Sequence, residues 1–152
     1  MERTGCPGEM ALSQPDQKVP QPSNAVVLDT SALMAVLFGG PEGHACAAVL
    51  GSDATLLISG GTLAEALIVA GNRGIGAEMT ALVGEGGVQV VPVTGATAAR
   101  VAEAYARWGK GRHPAALNVG DYFAYVLAQE TGPALLYVAE DFAKTDLSPA
   151  LS

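Results

Sequence analysis

The sequence has few of the features that mark secreted and membrane proteins. Cys6 and Cys46 are its two cysteines, and they match no metal-ligand spacing. No apolar stretch approaches the roughly 20 residues that a membrane span needs, and the N-terminus lacks the apolar core of a secretory signal. We therefore expect no disulfide framework, no membrane span and a cytoplasmic location.

Basic residues are also scarce. Eight lysines and arginines stand against 15 aspartates and glutamates, so the formal net charge is −7 at pH 7. This balance argues against nucleic-acid binding through a globally basic surface, although it allows a local basic patch. Hydrophobic residues make up 49% of the 152 positions, which excludes disorder caused by low hydrophobicity. Length and composition together predict one folded domain.

The beginning of the chain differs from the rest. Residues 1–24 are rich in Pro, Gly, Gln and Ser and contain no hydrophobic run, whereas an apolar run starts at Ala25. We interpret residues 1–24 as a disordered N-terminal extension and residues 25–152 as the folded domain. The extension holds three acidic and two basic residues, so the acidity belongs mainly to the domain.

Short apolar runs alternate with helical stretches along the domain. The runs predict strands at 26–28, 55–59, 88–93 and 134–138. The periodicity predicts helices at 30–38, 42–50, 62–71, 77–83, 96–108 and 119–130. Apolar strands separated by helices are typical of a parallel sheet covered on both faces. We therefore expect an α/β fold, a three-layer α/β/α sandwich with a small parallel sheet.

Four acidic residues follow strands or open helices of this predicted sheet. They are Asp29, Glu65, Asp121 and Asp141. In parallel sheets, ligands bind outside the carboxyl ends of the strands, where the helices begin. All four acids map to this edge.

Three of these acids also have a purely structural explanation. Thr62 and Glu65 have capping-box spacing, Asn118 and Asp121 can be interpreted in the same way, and Asp29 can cap the helix that follows it. The arrangement favours a functional explanation over helix capping alone, because four converging carboxylates would repel one another unless a cation neutralised them. Their convergence favours a cation site.

Oxygen ligands suit Mg²⁺ or Mn²⁺. His44 and His113 have no partner at ligand spacing, which argues against zinc. The sequence contains no Gly-x-Ser-x-Gly elbow and no phosphate-binding glycine pattern, so serine hydrolysis and nucleotide binding have little support.

Four motifs contain the acids, Asp29-Thr-Ser-Ala, Thr62-Leu-Ala-Glu65, Leu117-Asn-Val-Gly-Asp121 and Asp141-Phe. They give residues 25–147 a close resemblance to PIN-domain ribonucleases and, among them, to the VapC toxins of toxin–antitoxin pairs. It implies a Mg²⁺- or Mn²⁺-dependent endoribonuclease that forms homodimers and is inhibited by a VapB-type antitoxin. Members of this family commonly begin close to the first strand, so residues 1–24 are a departure.

The resemblance also implies roles for individual residues. The four acids would form the metal site, and Ser31 and Asn118 would support it. We expect Asp29 and Asp121 to be the central metal ligands and Glu65 to complete the shell directly or through water. Asp141 would hold a second ion or orient the attacking water.

A short basic segment precedes Asp121. It contains Arg107, Lys110, Arg112 and His113, with Trp108 beside them. The segment is explained equally by a solvated helix end, with Trp108 in a core stripe, and by a loop that binds RNA phosphates. Arg112 alternatively contacts the antitoxin.

Apolar residues in 32–38, 42–50 and 62–71 exceed what one core face requires. Most are expected in the core, and the remainder would form a dimer face or a groove for an antitoxin helix.

Two other functions stay open. One is a Mg²⁺-dependent phosphotransfer fold, although Ser31 stands where the dehalogenase type has a second Asp. The other is a non-catalytic RNA- or protein-binding module whose acids only cap helices.

Overall fold

The computed structural model describes residues 24–108, 119–132, 134–138 and 150–151. Its strands are β1 (Ala25–Leu28), β2 (Thr55–Ser59), β3 (Gln89–Val91) and β4 (Ala134–Leu136). Its helices are α1 (Thr30–Phe38), α2 (Gly40–Leu50), α3 (Gly60–Asn72), α4 (Gly76–Glu85), α5 (Gly95–Trp108) and α6 (Val119–Thr131). The predicted alternation of strands and helices is confirmed in these ranges.

The strands form one parallel sheet in the order β3-β2-β1-β4. Alternate residues of a strand face opposite sides of a sheet. Accordingly, one core cluster contains Val27, Leu57 and Leu135 with residues of α5 and α6, and the other contains Leu28 and Ile58 with residues of α1 to α4. The predicted α/β/α sandwich is therefore confirmed.

The strand order reverses at β1, because β2 and β3 are added on one side of β1 and β4 on the other. β1 pairs with β2 on one side and with β4 on the other, and Val26 lies opposite both Leu56 and Ala134. In open α/β sheets, such a switch in strand order leaves a crevice at the carboxyl ends of the strands. Asp29 directly follows β1 at this crevice.

The two outer strands differ in their surroundings. β3 is shorter than the predicted 88–93, and it is an edge strand in which Val90 is 48% exposed. Beside β4, the backbone N–H of Ala150 donates to the Leu135 carbonyl at 2.9 Å. Ala150 and Leu151 also pack against the core under α1 to α4.

The predicted N-terminal extension lies almost entirely outside the described residues, and its disorder stays a prediction. Asn24, its last residue, forms a turn whose side-chain amide donates to the Asp53 carbonyl at 3.0 Å. Within the described ranges, no single helix has the length and apolarity to span a membrane. α1 and α2, bent by 113°, meet that test together by length and composition alone.

Candidate active site

Asp29 has two carboxylate oxygens with different surroundings. Oδ2 accepts hydrogen bonds from the backbone N–H of Ser31 at 3.0 Å and from its hydroxyl at 2.6 Å, so Asp29 caps α1 as predicted. Oδ1 is buried and has no hydrogen-bond partner among the described residues. Buried polar atoms are almost always paired. The unpaired Oδ1 is therefore an exception, and it is a candidate position for a bound ligand.

The surroundings of Asp29 disfavour its negative charge. Burial raises the pKa of this carboxyl above its ordinary value, and the nearby charge of Glu65 raises it further. The hydrogen bonds from Ser31 act in the opposite direction, but burial dominates. A cation bound at Oδ1 would offset this cost.

Glu65 is held beside Asp29 by a threonine. The hydroxyl of Thr30 donates to Glu65 Oε1 at 2.9 Å. Glu65 lies in the second turn of α3, since the helix begins at Gly60 and is capped by Ser59, whose hydroxyl accepts from the Gly61 N–H. The predicted capping box of Thr62 and Glu65 is therefore wrong, because the true cap lies three residues earlier.

Asp121 lies in the first turn of α6, as predicted, and is half-buried. The preceding Gly120 packs directly on Glu65, because a Cβ atom built at this glycine would lie 2.3 Å from Glu65 Oε2. The fold thus brings the α6 end that carries Asp121 next to the Glu65 carboxylate. The helix N-terminus also favours negative charge there.

The three described acids Asp29, Glu65 and Asp121 do not by themselves form a metal-binding group. No group of three or more His, Cys, Asp or Glu side chains within the described ranges is arranged to hold a metal ion. Asp141 and Asn118 lie outside those ranges, so their predicted roles stay predictions. Mg²⁺ needs only one or two protein carboxylates and keeps several waters. The Asp29 and Glu65 pair, with buried Oδ1, fits such an ion.

Ser31 connects Asp29 to the neighbouring strand. Besides donating to Asp29, its hydroxyl accepts a hydrogen bond from the Val138 N–H at 3.1 Å, just after β4. Ser31 thus fixes one oxygen of Asp29, and its supporting role at a metal site stays a prediction. The segment that carries Asp141 begins directly after Val138.

Of the predicted RNA-binding residues, Arg107 is described, whereas Lys110, Arg112 and His113 lie outside the described ranges. The exposed Arg107 places its guanidinium carbon 4.6 Å from the centre of the Trp108 ring. Trp108 is 5% exposed and donates from Nε1 to the Tyr125 hydroxyl at 2.7 Å. The core position predicted for Trp108 is confirmed.

Two residues that contact Glu65 were given no role at the level of sequence. They are Thr30, whose hydroxyl donates to Glu65, and Gly120, which packs on its carboxylate. Thr62, interpreted there only as a cap, is fully buried, and its hydroxyl has no partner in the part of the chain that the structure describes. A usable signal existed for Gly120, because glycine in a helix is unfavourable and indicates close approach of another group.

The apolar stripe near α1 divides as expected. Ala32 and Leu33 are fully buried, whereas Phe38 is 57% exposed. On α3, Ile68 is 63% exposed. The guanidinium carbon of Arg73 lies 5.3 Å from the centre of the Phe38 ring and partly covers it. These exposed residues are candidates for the predicted partner surface.

Solved structures with a similar fold include a toxin and a toxin–antitoxin complex. One is the structure of VapC20 from Mycobacterium tuberculosis, which is described as a sarcin-ricin loop cleaving toxin. The TM-score is 0.65 at 17% identity, and the match covers 81% of this chain and 96% of the VapC20 chain. A toxin–antitoxin complex from Klebsiella pneumoniae has a TM-score of 0.62 and 17% identity, and covers 80% of this chain and 93% of that one. At this identity the likeness shows the fold.

Sequence comparisons show the family. The PIN domain profile matches residues 26–147. Ribonuclease VapC30 of Mycobacterium tuberculosis is 37% identical over 126 residues, which are 81% of this chain and 96% of the relative. Membership of the PIN-domain nucleases implies dependence on a divalent metal. The chain belongs to the PIN-domain family and, within it, to the VapC ribonucleases.

Proposed function

We propose that this chain cleaves cellular RNA as a Mg²⁺- or Mn²⁺-dependent endoribonuclease toxin. Its catalytic and metal-binding residues would be Asp29, Glu65, Asp121 and Asp141. The observation that carries this assignment is Asp29 Oδ1, for which the described residues offer no partner although it is buried beside Glu65. Family membership supplies the reaction class.

Each residue has a defined task in this proposal. A bound Mg²⁺ or Mn²⁺ supplies an activated water and neutralises charge that develops on the phosphate. Asp29 and Asp121 would be its central ligands, and Glu65 would contribute directly or through water. Asp141 would hold a second ion or orient the attacking water.

The supporting residues fix these acids. Ser31 holds Asp29 Oδ2, and Thr30 holds Glu65 Oε1. Asn118 would assist at the start of α6. Such outer contacts orient metal ligands and are needed for metal affinity.

A basic segment that begins in the last turn of α5 would attract the RNA despite the net charge of −7. We assign phosphate contacts to Arg107, Lys110, Arg112 and His113. The position of Arg107 supports this role, because its exposed guanidinium stacks on a buried ring at the end of α5. Cleavage should then weaken as salt is raised.

A VapB-type antitoxin would neutralise the toxin in the cytoplasm, and the toxin would form a homodimer. The Klebsiella pneumoniae neighbour is a toxin–antitoxin complex, which supports a partner of this kind. Exposed Phe38 and Ile68 offer apolar surface for it. Co-expression with the product of the adjacent gene followed by size exclusion tests the pairing, and separate elution would contradict it.

Cleavage of total RNA by the purified full chain tests the enzymatic function. We expect cleavage with Mg²⁺ or Mn²⁺, none with EDTA, and none for Asp29→Asn. The matched control is Asp53→Asn, an exposed acid just before β2 at the opposite edge of the sheet, which should cleave like the wild type. Equal activity of the Asp29→Asn and Asp53→Asn variants would contradict the proposed site.

The same assay distinguishes the ribonuclease from a non-catalytic binding module. A non-catalytic binding module would bind RNA and leave it intact under every metal condition. The phosphotransfer alternative is excluded by the family assignment.

A further inference from the structure

Helices α3 and α6 approach each other through a glycine on each side. At Gly61, a Cβ atom would lie 2.4 Å from Cγ of the Phe123 ring, so the aromatic ring of α6 lies on the first turn of α3. At Gly120, a Cβ atom would lie 2.3 Å from Glu65 Oε2, so the acid of α3 lies on the first turn of α6. Each glycine leaves the space that a side chain of the other helix occupies.

The two contacts differ in what they hold. The Phe123 ring contributes packing, whereas the Glu65 carboxylate is a functional group fixed on its other side by the hydroxyl of Thr30 at 2.9 Å. A side chain at position 120 would overlap with both carboxylate oxygens of Glu65, which would lie 2.3 and 2.6 Å from the added Cβ. Since a carboxylate is the mobile end of a long side chain, it would move before the helices did.

We infer that Gly120 is a positioning residue of the proposed metal site, because its missing side chain leaves the space in which the Glu65 carboxylate lies. The inference rests on the proposed function for the metal itself. Its steric part rests only on the packing of α3 against α6.

The test uses four variants of the full chain. Gly120→Ala fills the space, Glu65→Asp withdraws the carboxylate, and the double variant combines the two changes. The control is Gly84→Ala in α4, another helical glycine, where an added Cβ meets nothing within 4 Å. For each variant, calorimetry gives the Kd for Mn²⁺, and circular dichroism in EDTA gives the melting curve.

We expect Gly120→Ala to melt cooperatively and to weaken Mn²⁺ binding about 10- to 100-fold, the usual cost of misplacing a ligand through its support. Gly84→Ala should bind like the wild type. The double variant should bind no more weakly than Glu65→Asp alone, because the shorter acid no longer occupies the contested space. Such non-additivity is the signature of direct contact.

Three results would decide against the inference. They are a wild-type Kd in Gly120→Ala, a similar loss in Gly84→Ala, and losses that multiply in the double variant. Should Gly120→Ala fail to fold, recovery of cooperative melting in the double variant supports the same steric coupling, and an unfolded double variant overturns it. A wild-type chain that binds no Mn²⁺ contradicts the proposed function itself, and the inference with it.

Discussion

Asp29 combines a structural and a chemical role in one side chain. Its Oδ2 atom caps α1, and its Oδ1 atom is buried with no partner among the described residues. The helix-cap and metal-ligand interpretations of this residue are therefore compatible, because each uses a different oxygen. A substitution that keeps the cap and removes the charge separates the two roles.

Asp29→Asn should change how the stability of the metal-free protein depends on pH. The raised pKa means that the folded protein holds the Asp29 proton more tightly than the unfolded chain does. The free energy of unfolding therefore falls as pH rises from the ordinary pKa of 3.8 through the raised pKa of the folded state. Asn carries no such charge and still caps helices well.

Urea denaturation in EDTA at a series of pH values measures this effect. We expect the difference in unfolding free energy between Asp29→Asn and wild type to shift in favour of the variant as pH rises through that range. Asp53→Asn controls for loss of an exposed acid. Parallel pH profiles for wild type and Asp29→Asn would show that burial of the carboxylate has no such cost.

Ser31→Ala should destabilise the site more than a similar change elsewhere. The Ser31 hydroxyl donates to Asp29 and accepts from the Val138 N–H, and both groups would lose this partner. We expect a cost of about 1–3 kcal/mol in unfolding free energy. The matched control is Ser52→Ala, because the Ser52 hydroxyl also makes two hydrogen bonds but is exposed. Urea denaturation that gives equal costs would contradict the bridging role.

At this scale the sequence predicts residue types better than contacts. Asp29 and Ser31 follow an apolar run and belong to a motif, so they could be identified. The bond from Thr30 to Glu65 joins positions 35 residues apart, and the cap at Ser59 depends on where α3 begins. Both follow from the packing of helices, which local patterns do not determine.

The elements were predicted closely, and the errors in four helix starts share one cause. α2, α3, α4 and α5 each begin at a glycine, Gly40, Gly60, Gly76 and Gly95, one or two residues before the predicted start. Glycine is normally interpreted as a helix breaker, but the first turn of a helix tolerates it. β3 was predicted too long, because an apolar run was interpreted as a buried strand although β3 lies at the edge of the sheet.

The contact between α5 and α6 sets the position of the helix that carries Asp121. Trp108, the last residue of α5, donates to the Tyr125 hydroxyl at 2.7 Å, and Gln129 donates to the same oxygen at 3.3 Å. The Tyr105 and Tyr122 rings add an edge-on contact with centres 5.9 Å apart. Tyr125 lies one helical turn beyond Asp121, so this contact fixes α6 close to the site.

Tyr125→Phe should loosen this helix pair. The change keeps the ring but removes the oxygen that accepts from the buried Trp108 indole, which we expect to lower the unfolding free energy by about 1–3 kcal/mol. Trp108 is the single tryptophan of the chain, so its fluorescence reports this contact directly. Tyr105→Phe, at a 43% exposed residue, is the control. An unchanged emission spectrum and unchanged stability in Tyr125→Phe would contradict the role of the bond.

For the whole molecule, the order of the strands gathers distant residues. Asp29, Glu65 and Asp121 belong to three separate helix starts or early turns, and the parallel sheet places those starts at one edge. The shared edge could be predicted from the sequence because parallel strands have their carboxyl ends together. The contact of the Glu65 carboxylate with Gly120 could not be predicted, since it depends on how closely α3 and α6 pack.

Mn²⁺ should stabilise the whole fold, because a ligand that binds only the native state adds about 2.7 kcal/mol at 100 times its Kd. We expect a rise in the melting temperature with Mn²⁺, reversal by EDTA, and no rise for Asp29→Asn. Asp53→Asn should behave like the wild type, and sodium chloride at equal ionic strength controls for screening. A rise of the same size in Asp29→Asn would place the binding of Mn²⁺ elsewhere.

Two hydrogen bonds from outside the sheet hold the end of β4. The backbone N–H of Val138, just after the strand, donates to the Ser31 hydroxyl, and that of Ala150 donates to the Leu135 carbonyl within the strand. Deletion of residues 150–152 would remove no acid from the sequence, yet Leu135 would lose this donor and the core would lose the packing of Ala150 and Leu151. We therefore expect the truncated chain to melt at a lower temperature than the wild type.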